Sequence, residues 1–396
     1  MDIIMIAAFC GKMDGTGNIR FLYLADMLAK EHNVEIITSD FNHGTKSYYD
    51  YEPKGFPYKI TMLHSGDYDR NVSLKRFQAH YIWGKSVKQY LQQREKPDVI
   101  YAAVPPLMGP NFAAKYCENN NVKFVIDVQD LWPEAFQMVF KVPIVSSLLF
   151  LPFKIIANGV YRRADRIVGV SQTYVNRALS VNKKCADGTA VFLGTELAKF
   201  DENARLNPVK KSNELWIGYC GGMGDSYDLK VVIDALARLD NPPKFIAIGD
   251  GQKREFFEQY AKEKNVDCLF TGSLPYDQMC GWLKCCDIVV NPIAASSAAT
   301  IINKHSDYAA SGLPVINTQE SPEYRQLIEE YDMGFNCKNG DPDDLAEKIK
   351  LLISDEELRQ RMGLNARRCA QEKFDRASTY EDITQIIAGG GTHYLS

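Results

Sequence analysis

The chain has 396 residues, of which 45% are apolar and 24% are charged. At roughly 100–200 residues per domain this length suggests two domains, and the composition excludes disordered, collagen-like and disulfide-scaffold classes. A net charge of −4 argues against a chain whose main function is to bind nucleic acid.

The two halves of the chain differ in charge. Residues 1–200 carry 24 Lys and Arg against 19 Asp and Glu, whereas residues 201–396 carry 22 against 31. The amino-terminal half is therefore the one expected to meet an anionic surface. Solvated helix faces explain the two basic stretches, 75–96 and 154–184, equally well.

Cysteine usage and the first residues indicate the compartment. None of the ten cysteines forms a CxxC pair, which favours free thiols of a reducing cytosol over a metal site or disulfides. The start, residues 1–6, has no basic region before its apolar run and predicts no cleaved secretion signal. We expect a cytoplasmic protein.

Apolar, strand-like runs alternate with amphipathic segments in the first half. Short, almost fully apolar strands between helices are typical of a parallel sheet covered on both faces, and the right-handed crossover rule makes such a domain doubly wound. The predicted strands are 3–8, 34–38, 99–104 and 123–127, and the predicted helices are 19–30, 74–93 and 113–119.

The same alternation restarts after a polar stretch at 201–213. It predicts strands at 214–219, 244–248, 268–271, 288–291 and 314–317, helices at 229–239 and 253–263, two helices within 342–373 and a last one at 376–388.

The predicted fold class is therefore α/β, with two doubly wound, Rossmann-like domains facing across a cleft, where ligands of such folds bind. We place the domains at 1–200 and 201–375, followed at 376–396 by a helix and tail expected to pack on the first domain.

Residues 142–156 interrupt this pattern with a strongly apolar run. The run is shorter than the roughly 20 residues of a spanning helix and contains Pro143 and Pro152. Two interpretations stay open: packing against the rest of the domain, and peripheral contact with a membrane surface. The second would place the protein at the inner face of the plasma membrane.

Two glycine-rich stretches follow predicted strands. Gly15 and Gly17 lie in the first, where backbone N–H groups can approach a phosphate, but Arg20 replaces the third glycine of a dinucleotide fingerprint, which disfavours a dehydrogenase. In the second half, glycines cluster after two strands and suggest a bound nucleotide, with tight turns as the alternative. These are Gly222, Gly224, Gly249 and Gly251.

Four segments of the second half, 246–251, 268–275, 286–292 and 303–316, resemble the nucleotide-sugar half of the family 4 retaining glycosyltransferases, which have the GT-B fold. Residues 127–136 and 164–171 resemble the acceptor half of the bacterial surface-polysaccharide branch, which makes capsule or O-antigen. The resemblance implies a retaining hexosyl or N-acetylhexosaminyl transferase. It would use a UDP-sugar or other nucleotide-sugar donor, a lipid-linked or oligosaccharide acceptor, and no cofactor.

The resemblance also assigns donor-binding residues. It implies that Leu274 and Asn303 contact the nucleotide-sugar and that Asp307 accepts hydrogen bonds from the ribose. Thr300 stands where the family has its first conserved glutamate, which leaves the sugar contact open. The family's phosphate-binding Arg and Lys are replaced by Gly222 and Ser226, so another cation must offset the diphosphate. Lys304, also a catalytic candidate, is the first choice and Arg254 the second.

Acceptor chemistry is expected in the first domain. Asp127 ends a predicted strand and Asp130 lies in the loop after it, where a carboxylate can orient or deprotonate an acceptor hydroxyl. Asp130, Trp132 and Glu134 are the acceptor-binding candidates. His43 is a further catalytic candidate, with a structural role as the alternative. In enzymes of this type the leaving phosphate is thought to take the acceptor proton, so no Ser-His-Asp triad is required.

A literal DxD sequence at 341–343 opens a predicted helix, which favours helix capping over metal binding, and we predict no metal. The function predicted is transfer of a sugar to an acceptor of surface polysaccharide synthesis. A GT-B sugar-nucleotide epimerase and a non-catalytic sugar-binding protein are the alternatives.

Overall fold

The computed structural model describes residues 1–11, 13, 19–71, 73–134, 150–211, 213–295 and 300–389. The chain divides into two compact units, Met1–Val191 with Tyr380–Ser396 and Phe192–Thr379. The sequence had suggested boundaries after residues 200 and 375. The first boundary lies earlier because Leu197 and Phe200 are buried in the core of the second unit.

The first unit is built on a parallel sheet. Its strands are β1 (Asp2–Ile6), β2 (Asn33–Ser39), β5 (Lys59–Leu63), β6 (Val99–Val104), β7 (Lys123–Val128), β8 (Arg166–Gly169) and β9 (Thr189–Ala190). They are ordered β5-β2-β1-β6-β7-β8-β9. A separate antiparallel pair joins β3 (Phe41–Asn42) to β4 (Ser47–Tyr48). Strands β5, β8 and β9 were not predicted, and they lie toward the sheet edges. The residues of β5 are only partly buried or exposed, and β8 and β9 are four and two residues long, so each gives a weak strand signal.

Helices cover this sheet. They are α1 (Arg20–Leu28), α2 (Leu74–Gln93), α3 (Met108–Asn120), α4 (Leu151–Arg163) and α5 (Gln172–Leu179). The chain returns to the first unit within its last helix, Arg376–Ala388, whose Tyr380, Ile383 and Ile387 are buried in the core of that unit. The bounds predicted for α2, β6 and the last helix are confirmed.

The second unit contains six parallel strands. They are β10 (Trp216–Cys220), β11 (Lys244–Ile248), β12 (Cys268–Gly272), β13 (Ile288–Asn291), β14 (Val315–Asn317) and β15 (Gly334–Asn336). Their order is β12-β11-β10-β13-β14-β15. The helices are α6 (Leu197–Leu206), α7 (Leu229–Leu236), α8 (Arg254–Glu263), α9 (Tyr276–Lys284), α10 (Asn303–Ser311), α11 (Pro322–Tyr331), α12 (Pro342–Ser354) and α13 (Glu356–Cys369).

Both faces of the second sheet are buried, as predicted. On β11, Ile246 and Ile248 belong to one apolar cluster and Phe245 and Ala247 to another, because successive side chains of a strand point to opposite faces. Strands buried on both sides form when helices cover each face of a parallel sheet. The carboxyl ends of these strands then share one edge of the sheet, where a ligand can approach the loops.

Two sequence features find their place in the fold. Asp341 accepts hydrogen bonds from the backbone N–H groups of Asp343 and Asp344, with Pro342 in the first turn of α12, so the DxD sequence is a helix cap, as predicted. Of the apolar run 142–156, residues 142–149 lie outside the described residues, and the remainder opens α4. Leu151 and Ile155 are 45% and 61% exposed there.

Candidate functional site

Four glycines follow strands β10 and β11, and the structure separates them into two kinds. A Cβ on Gly249, which has φ +137°, would lie 2.0 Å from the carbonyl oxygen of Gly221, and one on Gly251 would lie 2.4 Å from that of Met223. These two glycines therefore let two backbone segments pack together. A Cβ on Gly224 would meet nothing within 4 Å, and Gly222 is exposed. Gly222 and Gly224 are the predicted pair that borders open space.

Lys304 lies against the first of these loops. Its Nζ donates a hydrogen bond to Tyr219 Oη at 2.8 Å and lies 3.4 Å from the centroid of the Tyr227 ring. A Cβ at position 221 would lie 2.1 Å from Lys304 Cε. Gly221 is thus the residue that admits the lysine side chain to the end of β10.

The charge of Lys304 has no carboxylate partner within 4.0 Å among the residues that the structure describes. Burial lowers the pKa of Lys304 to about 7, because a desolvated ammonium loses its hydration. Two tyrosine rings offset part of that cost through cation–π contact. A cation of this kind is stabilised by an incoming anion.

Arg254, the second candidate cation, is already paired. Its Nε donates to Glu258 at 2.7 Å, its Nη1 to Asp250 at 3.4 Å and its Nη2 to the Phe270 carbonyl at 3.3 Å. These carboxylates compete with a phosphate for the guanidinium. The geometry therefore favours Lys304 over Arg254.

Asp307 lies one turn beyond Lys304 on α10. Its Oδ1 accepts a hydrogen bond from Tyr276 Oη at 2.9 Å, and Tyr276 Oη lies 2.7 Å from Thr195 Oγ1. Burial raises the pKa of Asp307 to about 6, against the lowering effects of Tyr276 and Arg376. The carboxylate is thus held in place on one side and can accept further hydrogen bonds.

The other predicted donor-binding residues differ in exposure. Asn303 is exposed at the start of α10, and Leu274 is partly buried against an apolar cluster. Thr300 precedes α10; its Oγ1 is buried without a hydrogen-bond partner, and its carbonyl accepts from Gln319 Nε2 at 2.8 Å. Gly15 and Gly17 lie outside the described residues.

Sequence reasoning missed the tyrosines around these residues. Tyr219 and Tyr227 hold Lys304, and Tyr276 holds Asp307. Aromatic residues are common in cores, so their sequence positions carry little signal. The available signal was position, since Tyr219 and Tyr227 both lie in the glycine-rich stretch 218–228.

In the first unit, Asp127 is committed to an ion pair. Its carboxylate accepts from Arg20 Nε at 2.7 Å and Arg20 Nη2 at 3.2 Å, and both side chains are buried. Arg20 also donates to the Val191 carbonyl at 2.9 Å. Asp127 therefore stabilises the fold here and is not accessible to an acceptor, contrary to the role that the sequence suggested.

Asp130 is the better placed of the two aspartates. Its carboxylate accepts from Leu131 N at 2.8 Å and from Trp132 Nε1 at 3.1 Å, and burial raises its pKa. Trp132 is buried, with Arg76 Cζ 4.7 Å from its ring centroid. The tryptophan therefore orients the carboxylate.

Glu134 and His43 are the remaining candidates of the first unit. Glu134 Oε1 accepts from Arg177 Nε at 2.6 Å, while its Oε2 is buried without a hydrogen-bond partner. His43 Nδ1 lies 2.7 Å from Tyr68 Oη, and burial lowers the pKa of His43 to about 4. A neutral imidazole in this position can accept a proton only weakly, which favours a structural or hydrogen-bonding role.

Comparison with known proteins distinguishes the second unit from the first. Residues 200–369 match the family model of the Glycosyl transferases group 1. This segment is therefore similar to the glycosyl transferases of group 1. Lys304, Asp307 and the glycines 221–251 all lie within the matched range, whereas Asp130, Trp132 and Glu134 lie outside it.

The curated relatives have low sequence identity to this chain, and each of them is longer than the region that matches. The chain is 25% identical over 258 residues to the putative colanic acid biosynthesis glycosyl transferase WcaI of Escherichia coli, covering 61% of this chain and 62% of that protein. It is 25% identical to the sulfoquinovosyl transferase SQD2 of Arabidopsis thaliana, covering 72% and 56%. The matches span between 41% and 63% of the lengths of these curated relatives.

Solved structures confirm the GT-B fold class. The Anabaena protein Alr3699/HepE, solved in complex with UDP, superposes with a TM-score of 0.70 at 16% identity, covering 98% of this chain and 100% of that one. At this identity the likeness concerns the fold alone.

No helix in the described ranges is long and apolar enough to cross a membrane. No group of three or more His, Cys, Asp or Glu side chains in those same ranges is arranged to hold a metal ion. Independence from metal stays a prediction.

Proposed function

We propose that the protein is a retaining glycosyltransferase that moves a sugar from a nucleotide-sugar donor to a lipid-linked or oligosaccharide acceptor in surface polysaccharide synthesis. The observation that carries the proposal is Lys304, a desolvated lysine without a carboxylate partner in the described part of the chain, which lies at a glycine loop of the matched segment 200–369. Such a lysine suits the diphosphate of a sugar nucleotide.

In this proposal Lys304 binds the donor diphosphate. Its Nζ stands at the carboxyl end of β10, against Gly221, which precedes the exposed Gly222. The first backbone N–H groups of α10 add a partial positive charge from the helix amino terminus. The diphosphate in turn favours the ammonium form and raises the pKa of Lys304. The lysine replaces the arginine and lysine that the resemblance leads one to expect in the glycine loop.

Asp307 has the ribose as its proposed ligand. The side-chain oxygen held by Tyr276 is oriented before the nucleotide binds, and a carboxylate suits a diol because it accepts two hydrogen bonds. The UDP complex of the Anabaena protein supports a uridine nucleotide as the first donor to test. A hexose or N-acetylhexosamine is the proposed sugar.

Transfer is proposed to occur on one face of the sugar. The bond between the anomeric carbon and the β-phosphate oxygen breaks, and a bond from the acceptor oxygen to the same carbon forms. The acceptor proton passes to the leaving phosphate oxygen, so the chain supplies no nucleophile. Lys304 stabilises the charge that develops on the diphosphate, and Asp130 is proposed to orient the acceptor hydroxyl.

Membrane contact is a separate part of the proposal. Leu151 and Ile155, one turn apart on α4, are exposed, and Lys154 lies between them. An apolar stripe with a basic neighbour suits an interfacial helix. Sedimentation with anionic vesicles tests it: the protein should pellet at low salt, and the double variant Leu151→Ser, Ile155→Ser should stay in the supernatant. Equal behaviour of the two proteins would exclude this contact.

The activity itself is tested by incubating the protein with UDP-sugars. Slow release of free UDP supports a transferase, since water can replace a missing acceptor; an epimerised sugar nucleotide indicates the epimerase alternative, and binding without turnover indicates a sugar-binding protein. Lys304→Met should lower UDP release at least tenfold. Wild-type release from both Lys304→Met and Asp307→Ala would overturn the assignment of the site.

A further inference from the structure

In the described part of the first unit, two basic side chains on α2 each have a buried nitrogen atom without a hydrogen-bond partner. Arg76 is 8% exposed and His80 is 5% exposed, and neither Arg76 Nε nor His80 Nε2 makes a hydrogen bond. The residues are four apart on α2 and so lie one turn apart on the same face. Since nearly all buried polar atoms in proteins are satisfied, two such atoms together point to a ligand.

The contrast with Arg20 shows what Arg76 lacks. Arg20 is equally buried in the same unit, and Asp127 neutralises it at 2.7 Å. Arg76 has no carboxylate within 4.0 Å in the described part of the chain; its Nη1 donates to the Asn71 carbonyl at 2.6 Å. The Asn71 carbonyl, the Tyr68 side chain and the Trp132 ring are neutral, and they compensate a buried guanidinium less well than an anion does.

Asp130 does not fill this role. Its carboxylate is directed at Leu131 N and Trp132 Nε1, and it forms no ion pair with Arg76 within 4.0 Å. Burial raises the pKa of Asp130. The charge of Arg76 is thus offset only at a distance by this group. An additional anion would complete the ion pair.

The two nitrogens lie at the edge of the sheet where ligands of this fold class bind. Trp132 follows β7 and Phe9 follows β1, each just beyond the carboxyl end of its strand. The His80 ring lies 5.5 Å from the Trp132 ring centroid and 5.8 Å from that of Phe9. Tyr68 adds a third aromatic side, 6.0 Å away. In doubly wound folds this edge is the binding edge.

We propose that Arg76 and His80 bind an oxyanion carried by the acceptor, a phosphate or a carboxylate group. Arg76 supplies a permanent charge and an Nε–H donor, and His80 donates from Nε2 in the tautomer that carries its proton there. The inference rests on the proposed function in one respect: it takes the ligand to be the acceptor. The anion site itself stands on the geometry of the first unit.

The test measures binding to the full chain by titration calorimetry with phenyl phosphate, benzoate and benzyl alcohol. The aromatic surroundings suit the phenyl group, and the three probes differ in their head group. Phenyl phosphate or benzoate should bind and benzyl alcohol should not. Binding of phenyl phosphate alone identifies a phosphate-bearing acceptor, and binding of benzoate alone a uronic-type acid.

Variants locate the site. Arg76→Gln and His80→Phe should each weaken the anionic probe about tenfold or more, as expected for losing a charge-assisted hydrogen bond. His80→Gln, which keeps a donor near the Nε2 position, should retain most of the affinity. Arg94→Gln is the matched control, because Arg94 at the other end of α2 already pairs with Asp2 and Glu35. Unchanged affinity in both Arg76→Gln and His80→Phe, or no anion binding by the wild type, would overturn the proposal.

UDP binding measured on the same preparations separates this inference from the proposed function. UDP affinity should be equal in the wild type and in the α2 variants. If UDP binds and the anionic probes do not, only the proposal of the Arg76–His80 site is contradicted. If the anionic probes bind and UDP does not, the proposed donor site is contradicted. If Arg76→Gln does not fold, His80→Phe with His80→Gln decides the outcome.

Discussion

Gly221 and Lys304 share one space at the end of β10: a Cβ on Gly221 would lie 2.1 Å from Lys304 Cε and 2.2 Å from its Nζ. The lysine reaches the glycine loop only because residue 221 has no side chain. Gly221 also has φ +138°, a conformation that favours glycine. The loop and the helix α10 therefore depend on each other through this contact.

The first prediction concerns this contact. Gly221→Ala should displace Lys304 and strain the backbone, lowering the free energy of unfolding by about 1–3 kcal/mol and weakening UDP binding at least tenfold. Denaturant unfolding and calorimetry measure the two effects. Gly224→Ala is the stability control because its Cβ would enter open space; equal stability losses in the two variants would contradict the contact.

The second prediction concerns how the protonation of Lys304 makes stability depend on pH. Its pKa is about 7 in the folded protein, below its ordinary value of 10.5, so the unfolded chain binds more protons between these values and stability attributable to Lys304 rises with pH. Wild type should gain up to about 1.4 kcal/mol per pH unit relative to Lys304→Met between pH 7 and pH 10. A difference that is constant with pH would indicate an ordinary, solvated lysine.

UDP binding should show the opposite dependence on pH, which is the third prediction. A diphosphate binds the ammonium form, so the affinity of the wild type should fall by up to tenfold per pH unit above about pH 7. Calorimetric titrations across pH 6–9 provide the measurement. The affinity of Lys304→Met should be weaker and nearly flat, and a parallel decline in both proteins would assign the effect to another group.

Asp307→Asn is expected to separate stability from function. The folded pKa of Asp307 is raised from 3.8 to about 6. Ionisation of the buried carboxyl group therefore lowers the free energy of unfolding as the pH rises from about 4 to 6, and this loss persists at higher pH. The asparagine keeps an oxygen for Tyr276 and should be more stable than wild type by about 2–3 kcal/mol at pH 7.5, with little difference at pH 4. UDP affinity should nevertheless fall. A less stable variant at pH 7.5 would contradict the pKa direction.

The two aspartates near the end of β7 should behave differently, which is the fifth prediction. Asp127→Asn leaves Arg20 buried without its counter-ion and should cost about 3–5 kcal/mol of unfolding free energy. Asp130→Asn should be far milder, since its hydrogen bonds from Leu131 and Trp132 can still be accepted, and its effect should appear in transfer to an acceptor. Equal losses of stability would show that both aspartates are structural.

Local sequence signals were sufficient to predict helices and strands with a strong apolar pattern. The alternation of apolar strands and amphipathic helices predicted α2 and β11 with the bounds observed, because secondary structure and burial share one periodicity. Edge strands such as β9, two residues long, lack such a signal. The helix-capping role of Asp341 could also be predicted from the sequence, because a capping residue and its hydrogen-bond partners lie within one helical turn.

The sequence by itself determined the fold class, the division into two sheets and the loops where glycines and carboxylates gather. Only the tertiary structure decided their roles. Gly249 and Gly251 pack against backbone some 28 residues away in sequence, and Asp127 is neutralised by a residue 107 positions earlier. Within the described residues, Arg76 Nε and His80 Nε2 lack hydrogen-bond partners. These roles depend on which distant segments come into contact in the folded chain. Ion pairing and desolvation arise from those contacts, and no local sequence pattern specifies them.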